Sequence, residues 1–348
     1  MSKETASWLN TMTLIGNTQY RGTAWHYRAD QQGDEPNHYP GPIPVSDVER
    51  RLFGWQAVEL PVYVRVPATI DTMDGIDEGA CPYRYLLREQ RKNIAALDDY
   101  SDLGMFKEGY RPHQYREWLL HTVATILDSD LGISSAGLLR NRAVAWVEVS
   151  VPESITTPEG VEFRPNLLAT TSFDGSIATT FKRTCTMVVC DNTRELALSE
   201  KGQTYKARHS KYSGFKVAEA REALALVHTM AGDFADEVGR LLDWTVSDSQ
   251  WDLLLKKIIP TGDSKGATTR ALKRRSEINR MYRYDSRANQ WYGTAFGVVQ
   301  AFNTWNHHDR PTAKSTDRTE RNMLDAVTGA TAAEDTKILA ALSKIIGR

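Results

Sequence analysis

The chain has 348 residues, 41% of them hydrophobic and 25% charged, with a formal net charge of −1. These values exclude bulk disorder and whole-molecule attraction to polyanions, so any binding of nucleic acid must come from local patches. Three cysteines, Cys81, Cys185 and Cys190, are too few and too scattered for a disulfide framework and fit a reducing cytoplasm. No run of 18 apolar residues occurs, and no apolar segment follows a basic N-terminus, so we expect neither secretion nor membrane spanning.

Residues 1–60 read as an irregular N-terminal arm. Asp34-Glu-Pro-Asn-His-Tyr-Pro-Gly-Pro-Ile-Pro44 carries four prolines, which forbid a helix. Ser46-x-x-Glu49 has the form of a capping box opening a short helix to Phe53. Residues 61–250 read as an α+β core. Glu59–Val66 and Tyr83–Arg88 alternate as strands, and Tyr115–Leu127 has apolar residues at helical spacing. Gly132 and Gly137 read as breakers. Arg142–Val151, Phe163–Ser172 and Ser176–Val189 then form three strands, with Asp174-Gly175 as the hairpin signal between the last two. A helix pattern follows from Val217 to Trp244, weakened by Gly232 and Gly239 at about 1 kcal/mol each. The expected architecture is thus a central antiparallel sheet, a three-stranded meander followed by a long helix.

Residues 251–348 read as a helical, basic C-terminal region. Ser247-x-x-Gln250 caps a helix from Trp251 to Ile259. Further helices span Thr268–Tyr284 and Trp291–Trp305, and Thr331-x-x-Glu334 reads as the cap of a last helix ending near Ile346.

Two segments concentrate positive charge. Lys201, Lys206, Arg208, Lys211 and Lys216 lie in a stretch without an acid and are interleaved with Tyr205, Tyr212 and Phe215. Lys256–Arg287 holds ten cations against three acids, among them Arg270, Lys273, Arg274, Arg275, Arg280 and Arg283. Clustered cations neutralise phosphates, and aromatic rings stack on unpaired bases. The plainer reading of both segments is a solvated charged surface.

Catalytic signatures are sparse. Ser172, Asp174 and His209 have the residue types of a triad, but no nucleophile elbow accompanies them, and Thr170, Thr171 and Ser172 read more simply as strand residues entering a turn. His307-His308-Asp309 lacks the i, i+4 spacing that would turn two imidazoles to one metal. Asp71–Glu78 lacks the register of a calcium loop. No phosphate-cradling glycine motif exists. We therefore expect no enzyme, no metal and no cofactor.

Gly22-Thr-Ala-Trp-His26, Pro165-Asn-Leu-Leu-Ala-Thr-Thr-Ser-Phe-Asp-Gly-Ser176, Val189-Cys-Asp-Asn-Thr193, Arg208-His209-Ser210 and Tyr292-Gly-Thr-Ala-Phe-Gly297 together resemble the phage and plasmid protein family of domain of unknown function nine hundred and thirty-two. Two departures stand out: Ala24 where the family often has proline, and Phe173 where a histidine is expected. The resemblance implies a phage or mobile-element origin and an α+β fold, and it supplies no catalytic residues. The order strand, strand, strand, long helix is also distantly similar in topology to phage single-strand annealing proteins. The expectation drawn from all this is a non-enzymatic single-stranded DNA binding or annealing protein, cytoplasmic and homo-oligomeric. Its groove would be lined by Lys206, Arg208, Lys211 and the cations from Lys273 to Arg283. The alternatives are an interaction protein without affinity for DNA and, third, an enzyme built around Asp174 and His209.

Overall fold

The computed structural model describes residues 12–21, 35–66, 77–88, 102–107, 109–125, 127, 131–150, 154–187, 192–195, 204–209, 230–312, 318, 321–322, 325 and 330–347. The fold is α+β, with an antiparallel sheet and a helical C-terminal region, as the sequence predicts.

The predicted meander is present as β6 (Val144–Ser150), β8 (Glu162–Ser172) and β9 (Thr179–Met187), paired antiparallel. The sheet is larger than three strands. β5 (Gly132–Leu139) and β1 (Thr13–Ile15) extend it beyond β6, and the short β7 (Ile155–Thr156) pairs with β8. At the other side, β10 (Asn192–Glu195) and β11 (Thr204–Ala207) both pair with β9, each along a different half of it. These two strands stand between the meander and the helix predicted to follow it directly. Of that helix the structure describes α4, Met230–Leu242. A separate three-stranded sheet joins β2 (Ala57–Val66), β3 (Asp77–Arg88) and β4 (Asp102–Lys107).

The glycines read as breakers lie inside β5. Gly137 pairs with Trp146 across the β5–β6 ladder, and the indole lies over it; a Cβ there would sit 2.0 Å from the ring. The indole N–H donates to the Ser135 hydroxyl at 3.2 Å. Close approach of a ring to backbone, not chain reversal, is why glycine occupies this strand.

One face of the sheet packs Ala145, Val147, Val149, Leu167, Ala169 and Phe181 into a core with two short helical segments. The first, after the short helix α1 (Thr18–Arg21), is α2 (Val45–Val48), continued by a wider π-turn over Glu49–Phe53; the second is a π-turn over Arg116–Leu120, continued by α3 (His121–Ala124). The expected capping box at Ser46 is absent. Pro44 is the N-cap, with extended backbone at φ −61° and ψ 137°, and its ring carries no atom that could bond the first-turn N–H groups.

A second core is helical. α4, α5 (Asp248–Ile258), α6 (Lys265–Tyr284), α7 (Ala295–Thr304) and α8 (Ala330–Ile346) bury Phe234, Trp251, Tyr282, Phe296, Phe302 and Leu342 together. Val161 and Phe163 carry this core onto the sheet, with Phe163 packed on Phe234 at 4.2 Å. Thr245 and Thr294 form a bridge within it. The capping box at Ser247 and Gln250 is present. The one read at Thr331 is not: α8 already includes Ala330, and Glu334 instead accepts from Arg274 and Asn306.

We predict that Gly137→Ala destabilises the fold by about 1–3 kcal/mol, since the indole must move or the strand must strain. Chemical denaturation measures it; an alanine variant as stable as the wild type would show that the ring does not lie over this strand.

Candidate nucleic-acid interface

Two hairpin turns sit at one end of the large sheet. In the β8–β9 turn, Gly175 has φ +75°, a conformation glycine adopts freely. Asp174 Oδ1 accepts from the Ser176 N–H at 2.9 Å, which closes the turn. In the β5–β6 turn, Arg140, Asn141 and Arg142 all have positive φ, at 48°, 50° and 72°. Such strain persists only where neighbours hold it. Here Arg140 donates to Asp174 at 3.0 Å, the Tyr115 hydroxyl donates to the Arg142 carbonyl at 3.0 Å, and the Phe173 N–H donates to the Ala143 carbonyl at 2.7 Å. Phe173, standing where the family resemblance suggests histidine, stacks on Tyr115 at 4.1 Å and meets Trp55 edge-on.

Beside these turns five rings form a column. Phe106 stacks on Tyr110 at 3.8 Å, Tyr110 on His209 at 5.1 Å, His209 on His113 at 4.1 Å, and His113 on Trp118 at 3.4 Å. The members come from β4, the segment after it, the π-turn and the residues after β11, so the column is invisible to local pattern reading. The clue in the sequence is the spacing of Phe106, Tyr110, His113 and Trp118, which fits no single helix or strand.

Hydrogen bonds order the two imidazoles. His209 Nδ1 lies 3.2 Å from the Arg111 carbonyl, which can only accept, so Nδ1 carries the proton. Nε2 of the neutral ring then accepts from the Thr171 hydroxyl at 3.1 Å. Thr171 in turn accepts from Thr179 at 2.8 Å, and Thr179 accepts from His113 Nδ1 at 2.6 Å. One direction of donation satisfies the whole chain.

Burial pushes His113 down to about 3, aided by repulsion from His209. Burial also pushes His209 down to about 4, opposed in part by the carbonyls of Arg111 and Ile177. Both rings are therefore neutral and stack without charge repulsion. Burial raises the Tyr110 hydroxyl, with Asp174 adding to it. Burial works to raise Asp174 as well, but hydrogen bonds from Ser176 and Arg140 prevail and keep it ionised.

The triad geometry is not formed. The Ser172 hydroxyl is fully buried and exchanges hydrogen bonds with the backbone of Ile177, while Asp174 faces Arg140 and His209 faces Thr171. Among the described residues no group of three His, Cys, Asp or Glu side chains could hold a metal ion, and no helix is long and apolar enough to cross a membrane.

The predicted cations divide into two sets. Lys206 and Arg208 are exposed at the end of β11 and the residues after it, next to His209. Lys107 and Arg111, which flank Tyr110, are exposed as well; the sequence reading missed both. Lys201, Lys211 and Lys216 lie outside the described residues. On α6, Arg270 and Lys273 are exposed, Lys273 lying 3.8 Å from Glu277. Arg274, Arg275, Arg280 and Arg283 are each engaged by a partner within the molecule. Arg274 pairs with Glu334 at 3.3 Å and lies over Trp305 at 4.5 Å. Arg275 donates to the Ile259 carbonyl at 2.8 Å, satisfying the end of α5. Arg280 pairs with Asp309 at 2.7 Å, and Arg283 bridges Asn279, Tyr292 and Asp248.

The two neutral histidines set a pH dependence. Between the ordinary 6.5 and the lowered values of about 3 and about 4, the unfolded chain binds protons that the folded chain refuses. Stability is therefore full above pH 6.5 and falls as pH drops through that window. His307, lowered to about 4 by burial, acts in the same direction. We predict that the thermal midpoint declines between pH 7 and pH 5, above the main carboxylate range, and that His209→Phe makes the decline shallower. Identical profiles for the wild type, His113→Phe and His209→Phe would show that these rings are not held neutral.

The family model described as Domain of unknown function (DUF932) matches residues 102–328, a span that contains the ring column, both turns and α6. No curated protein and no solved structure matches the chain.

Proposed function

This chain belongs to the DUF932 family, and from that premise we propose that it is a single-stranded DNA binding and annealing protein of a phage or mobile element, acting as a homo-oligomer and without turnover. The observation that carries the reading is the pairing of exposed cations with stacked rings. Lys107, Arg111, Lys206 and Arg208 lie on two segments that the His209–Arg111 hydrogen bond ties together, and Tyr110 and His209 stack between them. Asp174 at the neighbouring turn is engaged by Arg140. Flexible cations neutralise backbone phosphates, while a rigid aromatic surface favours strands whose bases are free to stack.

The exposed Arg270 and Lys273 extend the positive surface on α6. Arg274, Arg275, Arg280 and Arg283 contribute mainly to holding α6 against α5, α8 and the turns around it. An interaction protein without affinity for DNA is the second reading. It is favoured by that internal pairing, which leaves a charged surface less positive than its composition.

We predict that binding of a single-stranded oligonucleotide weakens with salt, with each phosphate contact adding about 0.7 to the negative slope of log affinity against log salt. Lys206→Glu combined with Arg208→Glu should flatten that slope by about 1.4, whereas Arg283→Gln should change thermal stability and leave the slope alone. Filter binding at several salt concentrations reads both. An unchanged slope in the double variant removes this surface as the site, and no binding by the wild type favours the interaction-protein reading.

A further inference from the structure

The π-turn that gives Trp118 to the ring column packs on the π-turn over Glu49–Phe53, and an open groove of about 690 Å³ lies where they meet. That volume is in the range of pockets that hold small organic ligands. Glu49, Phe53, Trp55 and Arg116 are among the residues that line it. Its walls are tied down from within the fold. The Gln114 amide donates to the Ala57 carbonyl at 2.9 Å, and its oxygen accepts from the Ala57 N–H at 3.0 Å, which fixes the chain after Trp55 against the segment before Arg116. Arg50 grips the Glu35 carboxylate with two bonds of 2.8 and 2.6 Å, which ties the first π-turn to the chain at residue 35. A groove held in this way loses little freedom when a ligand enters.

Trp55 is half-buried, and its indole N–H is already given to the Leu52 carbonyl at 2.7 Å. Tyr115 and Phe173 meet the indole edge-on at 5.5 and 5.9 Å. What Trp55 adds to the groove is therefore ring surface with no unmet polar group. Arg116 Nη1 lies 3.3 Å from Glu49 Oε1. Each guanidinium at the groove has a carboxylate partner, Arg116 with Glu49 and Arg50 with Glu35. Charges cancel in pairs, so the groove gives neither a bare anion nor a metal ion a net attraction.

The Arg116–Glu49 pair instead sets donors beside acceptors. A guanidinium carries several N–H donors and a carboxylate several lone pairs, so one contact between them leaves most of each to a ligand. Both side chains are substantially exposed, at 48% and 36%, and an exposed pair is weak enough to shift around a ligand. A ring wall next to such an edge has the two elements that recognise an unpaired base, stacking and hydrogen bonds to its pairing edge. Guanine matches the order of groups. Its pairing edge sets one acceptor oxygen, suited to Arg116, beside two N–H donors, suited to the two oxygens of Glu49. Adenine and cytosine reverse the first two positions, which sets donor against donor and acceptor against acceptor. Thymine offers one donor where guanine offers two.

We propose that this groove binds a guanine base, stacked on Trp55 and read by Arg116 and Glu49. The proposal goes beyond the single-strand reading and does not depend on it, because a free guanine nucleoside and an unpaired guanine in a strand present the same edge.

The test is calorimetric titration of the full chain with guanosine and with adenosine, and with an oligodeoxyadenylate with and without one central guanine. Guanosine should bind about tenfold or more tighter than adenosine, the discrimination that one bidentate pair supplies. Glu49→Gln should leave the thermal midpoint nearly unchanged and abolish that preference. Trp55→Leu should weaken guanosine and adenosine alike; if it fails to fold, Glu49→Gln carries the test. Preference for guanosine without preference for the guanine-bearing strand assigns a free nucleoside, and preference for the guanine-bearing strand assigns an unpaired guanine within a strand. The proposal is overturned if neither guanine probe binds better than its adenine counterpart, or if Glu49→Gln keeps the preference. Lys206→Glu combined with Arg208→Glu should leave guanosine binding as it is, so failure of this proposal and failure of the single-strand reading are separate results.

Discussion

The hydroxyl pair of Thr171 and Thr179, 2.8 Å apart at the mouth of the β8–β9 hairpin, holds this end of the sheet together. Each threonine reaches one histidine from a distant part of the chain: Thr179 meets His113 from the segment before the π-turn, and Thr171 meets His209 from beyond β11. Because both hydroxyls are buried, an unmade bond in this chain would leave a donor or acceptor stranded away from water. That penalty makes the segments arrive together, and their rings then stack.

The consequence is a rigid, neutral column. Rings that carried charge would repel at 4.1 Å; burial prevents this by disfavouring the protonated imidazoles. The same end of the sheet tolerates three left-handed residues at Arg140–Arg142, because Asp174 and Tyr115 hold them from the neighbouring turn and from the core. Strained backbone and stacked rings thus share a place with the exposed cations Lys107 and Arg111.

The C-terminal helices show a different use of positive charge. Ten cations against three acids in Lys256–Arg287 look like a binding surface when counted along the chain. In space, Arg274, Arg280 and Arg283 meet carboxylates from residues 334, 309 and 248, and Arg275 satisfies a helix end. Surface pairs of this kind contribute modestly to stability, but each reduces the charge offered to a ligand. Excess charge in a window is therefore weak evidence for a site when its partners lie far away in sequence.

Much of the fold was legible from local rules. The meander, its Asp174-Gly175 turn, α5 with its capping box, the helix α6 and the wholly buried helix α7 follow from alternation, turn chemistry and helical spacing, because each depends on residues a few positions apart. What local rules missed depends on contacts between distant residues. Gly137 reads as a breaker until Trp146 lies across it. β10 and β11 are short, and pairing with β9 makes them strands. The roles of His113, His209, Lys107 and Arg111 depend on four segments meeting. The sequence alone determined the α+β class, the central strands and the family resemblance, since periodicity and turn residues act locally. Only the tertiary structure decided which cations stay exposed and which histidines are neutral, since solvation and electrostatics depend on neighbours that the chain order does not reveal.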